Sequence, residues 1–267
     1  MNSDKTLIRV PLGGNSLLRE AISRINLDEE VSAVWEMSNT NAMKRMGWSD
    51  HGPVHFQIVA NGALRMCRIL VGRGIPMGIV ADYGLSVHHA ELVVVLASLF
   101  HDLGMMVNRQ GHEEFSLFIS LKILDRLIDF LPVREKVIVE GEVLHAIINH
   151  RDDGRPSTAE AGIVRVADAL DMSGGRSRIP FEQGEVNIHS LSAYAIDKVE
   201  IAEGTDIPIL ITVSMNNSSG LFQVDELLKE KLKNSGIEKY CAVKAYVNGE
   251  SEKKLITEFV LGNSPRT

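Results

Sequence analysis

The chain divides by the spacing of its apolar residues. Up to about Pro180 they recur at helical intervals: Leu17, Leu18, Ala21, Ile22 and Ile25; then Ile58, Val59, Ala63, Met66, Ile69 and Leu70; then Phe115, Phe118, Ile119 and Leu121. Breakers separate the groups. Gly52-Pro53 precedes the second and Gly74-Ile75-Pro76 follows it, Gly104 follows an apolar run over 90–100, and Asp152-Asp153-Gly154-Arg155-Pro156 leads into a further helix over 157–172. Beyond Pro180 the texture is that of short strands rich in Val, Ile and Thr, over 195–202, 207–215, 240–247 and 254–261. Asn248-Gly249 has the signature of a type I′ hairpin, so the last two strands are expected to pair antiparallel. Between the second and third strands, 220–236 reads as a helix with Leu221, Val224, Leu227, Leu228 and Leu232 on one face and Gly236 as its stop. The expected fold is mainly α. An all-helical bundle over 1–180 precedes a small α+β domain over 181–267 with a mostly antiparallel four-stranded sheet.

Composition sharpens this picture. At ~150 residues per domain, 267 residues agree with two units, and 45% hydrophobic residues supply a sizeable core. A net charge of -7 argues against a general nucleic-acid or anionic-membrane surface. Two cysteines, Cys67 and Cys241, exclude a disulfide framework and a thiolate-rich zinc cluster. The first residues lack the apolar stretch of a secretory signal, and the run over 92–100 is far shorter than the ~20 residues of a membrane span. A cytoplasmic protein is expected.

Histidine is the outlier, because eight of the nine lie between His51 and His150. His55 falls in the first turn of a helix that Pro53 opens, on the stripe of Val59 and Met66, and points inward. His51 lies in the incoming loop, and His88 and His89 sit at a helix start where surface or capping roles are ordinary. His101-Asp102 is different. The apolar run delivers an imidazole and a carboxylate side by side at its end, and a carboxylate leaving a buried helix needs a compensating partner, of which a metal cation is one. Asp168, in VRVADALD, has the same burial problem. On the helix over 137–150, His150 shares a face with Val143 and Ile147, whereas His145 lies about 140° away, so His150 is the better ligand candidate. His55, His101, Asp102, His112, His150 and Asp168 then form a cysteine-free set suited to one or two divalent ions, with Fe, Mn, Zn, Co, Ni and Mg all compatible.

This ordered set, with LFHDLG around His101-Asp102 and VADALD around Asp168, resembles the H…HD…D signature of the HD-superfamily metal-dependent phosphohydrolases over residues 50–180. His112 and His150 are similar to the extra histidines of the branches that hold two metals. The resemblance implies an all-α catalytic domain, hydrolysis of phosphate esters, Asp102 as the bridge between metals, and Asp102 with His101 at the catalytic heart. A bound metal supplies hydroxide near neutral pH, so no side-chain nucleophile is required, and neither a G-x-S-x-G elbow nor a P-loop occurs. Arg109, Arg151, Arg176 and Arg178 are the cations placed to receive a small phosphorylated substrate, while Asp152, Asp153 and Asp171 are loop or cap residues that could also orient a histidine or water. Two competing readings use the same residues: an HD-type di-iron oxygenase, and a non-catalytic metal-binding sensor or scaffold. Edge strands in the C-terminal sheet make a homo-oligomer the expected assembly.

Overall fold

The structure, a computed structural model, describes residues 6–151, 153–172, 192–248 and 259–261. The helical part runs α1 (Ser16–Leu27), α2 (Glu29–Asn39) with a π-helical extension (Thr40–Arg45), α3 (Pro53–Gly72), α4 (Gly78–Tyr83), α5 (Val87–Phe100), α6 (His112–Leu127), α7 (Val133–Ile148) and α8 (Ala159–Leu170). Each start has a local cause. Asn15 and Asp28 accept from the backbone N–H groups of Leu18 and Val31, and Pro53 opens α3. Ser86 and His89 form a reciprocal capping box on α5, which gives His89 its role.

Helix α5 is the axis of the bundle. From Leu92 to Phe100 every residue is buried, with α3, α7, α8 and α1 packed around it. Val87–Met106 is long and apolar enough to cross a membrane, yet 89% of it is buried within the molecule, which accounts for its apolarity as that of a core helix.

The C-terminal part contains β1 (Ile196–Glu203), β2 (Ile209–Met215), a π-helical stretch (Gln223–Leu228) continuing into α9 (Lys229–Leu232), and β3 (Cys241–Val247). The expected four-stranded sheet is corrected here: among the described residues three strands of seven or eight residues make the sheet, and the three-residue segment Phe259–Leu261 is added at the β3 edge. β1 and β2 are antiparallel, but β2 and β3 are parallel, Ile209 facing Cys241 through Met215 facing Val247. The intervening helix explains this. It is a crossover, and parallel neighbours require one. Phe259–Leu261 does run antiparallel to β3, but Ala245 faces Phe259, a register that a two-residue turn at Asn248-Gly249 would not give.

The expected boundary near Pro180 lies outside the described residues. The buried cluster is nonetheless continuous: Ile209, Ile211, Val213 and Val243 of the sheet, with Val224 and Leu228, join the same core as α3, α5 and α8. α8 is buried on nearly every side because the C-terminal part covers the face that the bundle leaves open. Gly162 permits this approach, since a Cβ there would lie 2.1 Å from the carbonyl oxygen of Ser235. Gly162→Ala should therefore lower stability by about 1–3 kcal/mol in urea unfolding; an unchanged midpoint would show that α8 and this segment are not held together.

Candidate metal centre

The centre is built where α5 ends. Several carbonyls at its end and in the 3-10 turn Leu103–Met106 that follows are taken up by side chains from neighbouring elements. Trp35 Nε1 donates to Leu99 O (3.1 Å), Ser38 Oγ to Leu103 O (3.1 Å), Ser116 Oγ to His101 O (2.7 Å), and Asn41 Nδ2 to Met105 O and Met106 O. Gly104 lets this turn rest on α6, since a Cβ there would sit 2.0 Å from His112 O. His101 and Asp102 are thus held on a braced backbone, 0% and 3% exposed.

Five imidazoles surround Asp102, all buried and all oriented alike. The Nδ1 of His51, His101, His112 and His150 contacts a backbone carbonyl, of Ser49 (2.7 Å), Ser98 (2.9 Å), Arg109 (2.8 Å) and Ile147 (2.6 Å); His55 Nδ1 contacts Asp171 Oδ2 at 2.7 Å. Each Nε2 is left facing the carboxylates. Asp102 Oδ2 lies 3.3 Å from His101 Nε2 and 3.7 Å from His51 Nε2 and His55 Nε2, while Oδ1 lies 2.9 Å from His112 Nε2 and 3.5 Å from His150 Nε2. Asp168 Oδ1 is 3.5 Å from both His55 Nε2 and His101 Nε2. Two groups, His55/His101/Asp168 and His101/Asp102/His150, each bring one ligand atom per residue within 4.8 Å of the others.

With this geometry in view, the HD domain family model matches residues 55–173, the segment that carries all of these groups except His51. The chain is also similar to “Uncharacterized protein MJ1020” of Methanocaldococcus jannaschii, 40% identical over 235 residues that span 88% of this chain and 90% of the relative. The chain belongs to the HD-domain family. No solved structure matches it.

The HD-domain family is one of metal-dependent hydrolases, and the donor set fits a divalent cation. Holding Nδ1 fixes ring orientation and leaves Nε2 as the donor, the arrangement by which metal-binding histidines are prepared. The electrostatics agree. Burial opposes charge on Asp102, but the His101 imidazole beside it, with the His112 and His150 rings at its other oxygen, keeps its carboxyl well below the usual range. Burial also opposes charge on Asp168, and the Lys231 ammonium with His101 outweighs it. His101 itself is raised to about 10, because Asp102 and Asp168 outweigh its burial. Two carboxylates thus demand positive charge at one place. A proton on His101 supplies some, and a divalent cation among the same atoms would supply more. His150 is pushed down to about 4 by burial, so its Nε2 carries a free lone pair at neutral pH.

All six expected ligand residues come together, and His51, a loop residue whose part in the centre the sequence left open, joins them. Its placement comes from Asn39 Oδ1, which accepts from His51 N, and from Asp50, which accepts from the N–H groups of Gly52 and His55. Asp171 caps α8 and also orients His55. His145 turns away, toward Ser157 and Asn149, as its helical phase requires. Of the expected substrate cations, Arg109 lies over the Trp48 ring at 4.2 Å and Arg151 Nη1 is 3.8 Å from Glu113 Oε2, both next to His112 in space. Arg176, Arg178 and Asp152 lie outside the described residues. Lys231 was missed altogether. It enters from the C-terminal part and pairs with Asp168 Oδ2 at 3.1 Å. Metal analysis of dialysed protein should show His150→Ala losing metal affinity by about 10-fold or more and His145→Ala retaining it; the reverse ranking would show that the wrong face of α7 meets the centre.

Proposed function

We propose that this protein is a metal-dependent phosphohydrolase that cleaves small phosphate esters at a two-metal centre. The observation that carries the reading is the division of Asp102: one carboxylate oxygen faces His51, His55 and His101, the other His112 and His150. A single carboxylate with histidine nitrogens gathered on both oxygens is suited to bridge two cations. His55, His101 and Asp168 would hold one, His112 and His150 the other, with His51 beside the first. Bound there, divalent metal activates water and offsets charge on phosphoryl oxygens.

The chain's own residues prepare that chemistry. Backbone carbonyls and Asp171 keep each Nε2 directed inward, so little reorganisation is needed at the moment of reaction. The braced end of α5 and the apolar wall behind it keep the imidazoles and Asp102 out of bulk water. Arg151 and Arg109 flank His112 and offer guanidinium groups to phosphate oxygens. Trp48, 46% exposed and stacked with Arg109, gives a flat surface beside them, which favours an ester that carries an aromatic base, such as a nucleotide. A net charge of -7 disfavours nucleic acid in bulk and an anionic membrane surface, and a cytoplasmic homo-oligomer acting on a small phosphorylated compound completes the reading.

Hydrolysis of phosphomonoesters and phosphodiesters by protein loaded with Mn, Fe, Co, Ni, Zn or Mg tests the proposal. Activity with at least one metal, undiminished without oxygen, is expected; an oxygen requirement would favour an oxygenase. Asp102→Ala should lose metal and hydrolysis together, and full metal content in that variant would sink the two-metal site. Trp48→Ala should raise KM for nucleotides about 10-fold and leave ribose 5-phosphate unaffected.

A further inference from the structure

Lys231 stands apart from the other lysines of its helix. Lys229 is 48% exposed and pairs with Asp225, as a surface lysine does, and Lys233 is exposed. Lys231 is turned inward to 13% exposure. Its Nζ donates to Asp168 Oδ2 at 3.1 Å and to the main-chain oxygen of His150. It therefore touches two residues of the metal centre, one by its ligating carboxylate and one by its backbone.

The approach is anchored from the other side by Arg165. This residue lies one helical turn before Asp168 and has no exposed surface. Its Nε donates to Lys231 O (2.8 Å), Nη2 to Glu230 O (3.3 Å) and Nη1 to Asn149 O (3.4 Å). The carbonyls at the end of α9, which lack helical partners, are thus gripped by α8. The end of α7, the middle of α8 and α9 meet at one polar junction, beside the centre. Burying a guanidinium and an ammonium is costly, and an ordinary contact between two packed units would use apolar side chains instead.

The consequence falls on Asp168. Its Oδ1 faces His55 and His101 at 3.5 Å each, and its Oδ2 is held by Lys231. We propose that Lys231 is a positioning residue of the metal centre, fixing Asp168 as a one-oxygen ligand and making the C-terminal part a component of the site rather than an appendage. This rests on the metal-binding half of the proposed function and not on the hydrolysis. A lysine that merely stood near the cation would repel it, so its removal would tighten metal binding. A lysine that positions a ligand has the opposite sign: its removal frees the carboxylate to rotate and weakens binding.

Cobalt(II) uptake by the full chain, read by chelator competition and by the visible absorption of the bound ion, separates these outcomes. Lys231→Met should bind cobalt about 10-fold or more weakly with an altered band, Lys231→Arg should stay within about threefold of wild type with the native band, and Lys229→Met should be indistinguishable from wild type. Native affinity with a native band in Lys231→Met, or tighter binding, overturns the assignment. If that variant does not fold by circular dichroism, Lys231→Gln gives the same two readings. No substrate enters the measurement. A wild type that loads cobalt but hydrolyses no phosphate ester sinks the phosphohydrolase reading and leaves Lys231 to be judged on its own data, whereas one that takes up no cobalt overturns both.

Discussion

The constraint on which the molecule depends is the burial of Asp102 as an anion. It stands at the end of the most apolar helix among the described residues, where an isolated carboxylate would cost several kcal/mol. The rest of the centre answers that cost. Five imidazoles from two helices, two helix ends and one loop present nitrogen to its two oxygens, and the elements that carry them pack directly or indirectly on α5. The depth that makes the charge expensive also makes any compensating cation strongly held. Apolar core and metal centre are therefore one design, with α5 supplying the wall and its C-terminal end supplying the ligands.

How much of this was legible in the sequence follows the range of the interactions involved. α3, α5, α6, α7 and α8 announce themselves by apolar spacing; helical phase turns His145 aside, whereas His150 lies just beyond the end of α7 at Ile148, two residues short of the expected helix end. The order His55, His101-Asp102, Asp168 becomes recognisable through resemblance, because each is fixed by its own helix. What escaped depends on contacts between distant segments. His51 is placed by Asn39 and by the turn around Asp50, and no periodicity governs a loop. Asp171, in sequence either a cap or an orienter of histidine, shows its role only when His55, 116 residues away, is seen against it. Lys231 sits in a run of lysines whose local pattern says surface, and only its pairing with a residue 63 positions earlier says otherwise. The sheet shows the same limit: alternation located β1, β2 and β3, but strand direction had to be read from the crossover helix, a cue that the Asn248-Gly249 signal overshadowed.

α8 joins the two halves of the molecule. Nearly every position on it is buried, including Glu160 and Arg165, whose charges serve opposite ends of the packing. Glu160 accepts from the N–H groups of Gly78 and Ile79 and so holds the start of α4, whereas Arg165 holds the end of α9. Between them, Gly162 brings the backbone of Ser235 into contact. A helix committed on both faces cannot shift without moving Asp168, which lies one turn beyond Arg165. The continuous core makes the C-terminal part a wall of the site, and this explains why a small sheet with few strands is stable where it stands.

The charge balance of the centre argues for an anionic substrate. With its histidines neutral, as ligands must be, Asp102 and Asp168 against Lys231 leave one negative charge among the atoms closest to the metal position. A single divalent cation reverses that sign, and a pair makes it strongly positive in a place shielded from solvent. Neutral substrates would leave the excess uncompensated. Under the proposed function a phosphate ester would bring negative charge to the metals, and Arg109 and Arg151, near His112, would add to the same field. The lysine that holds Asp168 adds to that field. It thereby biases the centre toward anions even as it fixes the ligand that retains the cation.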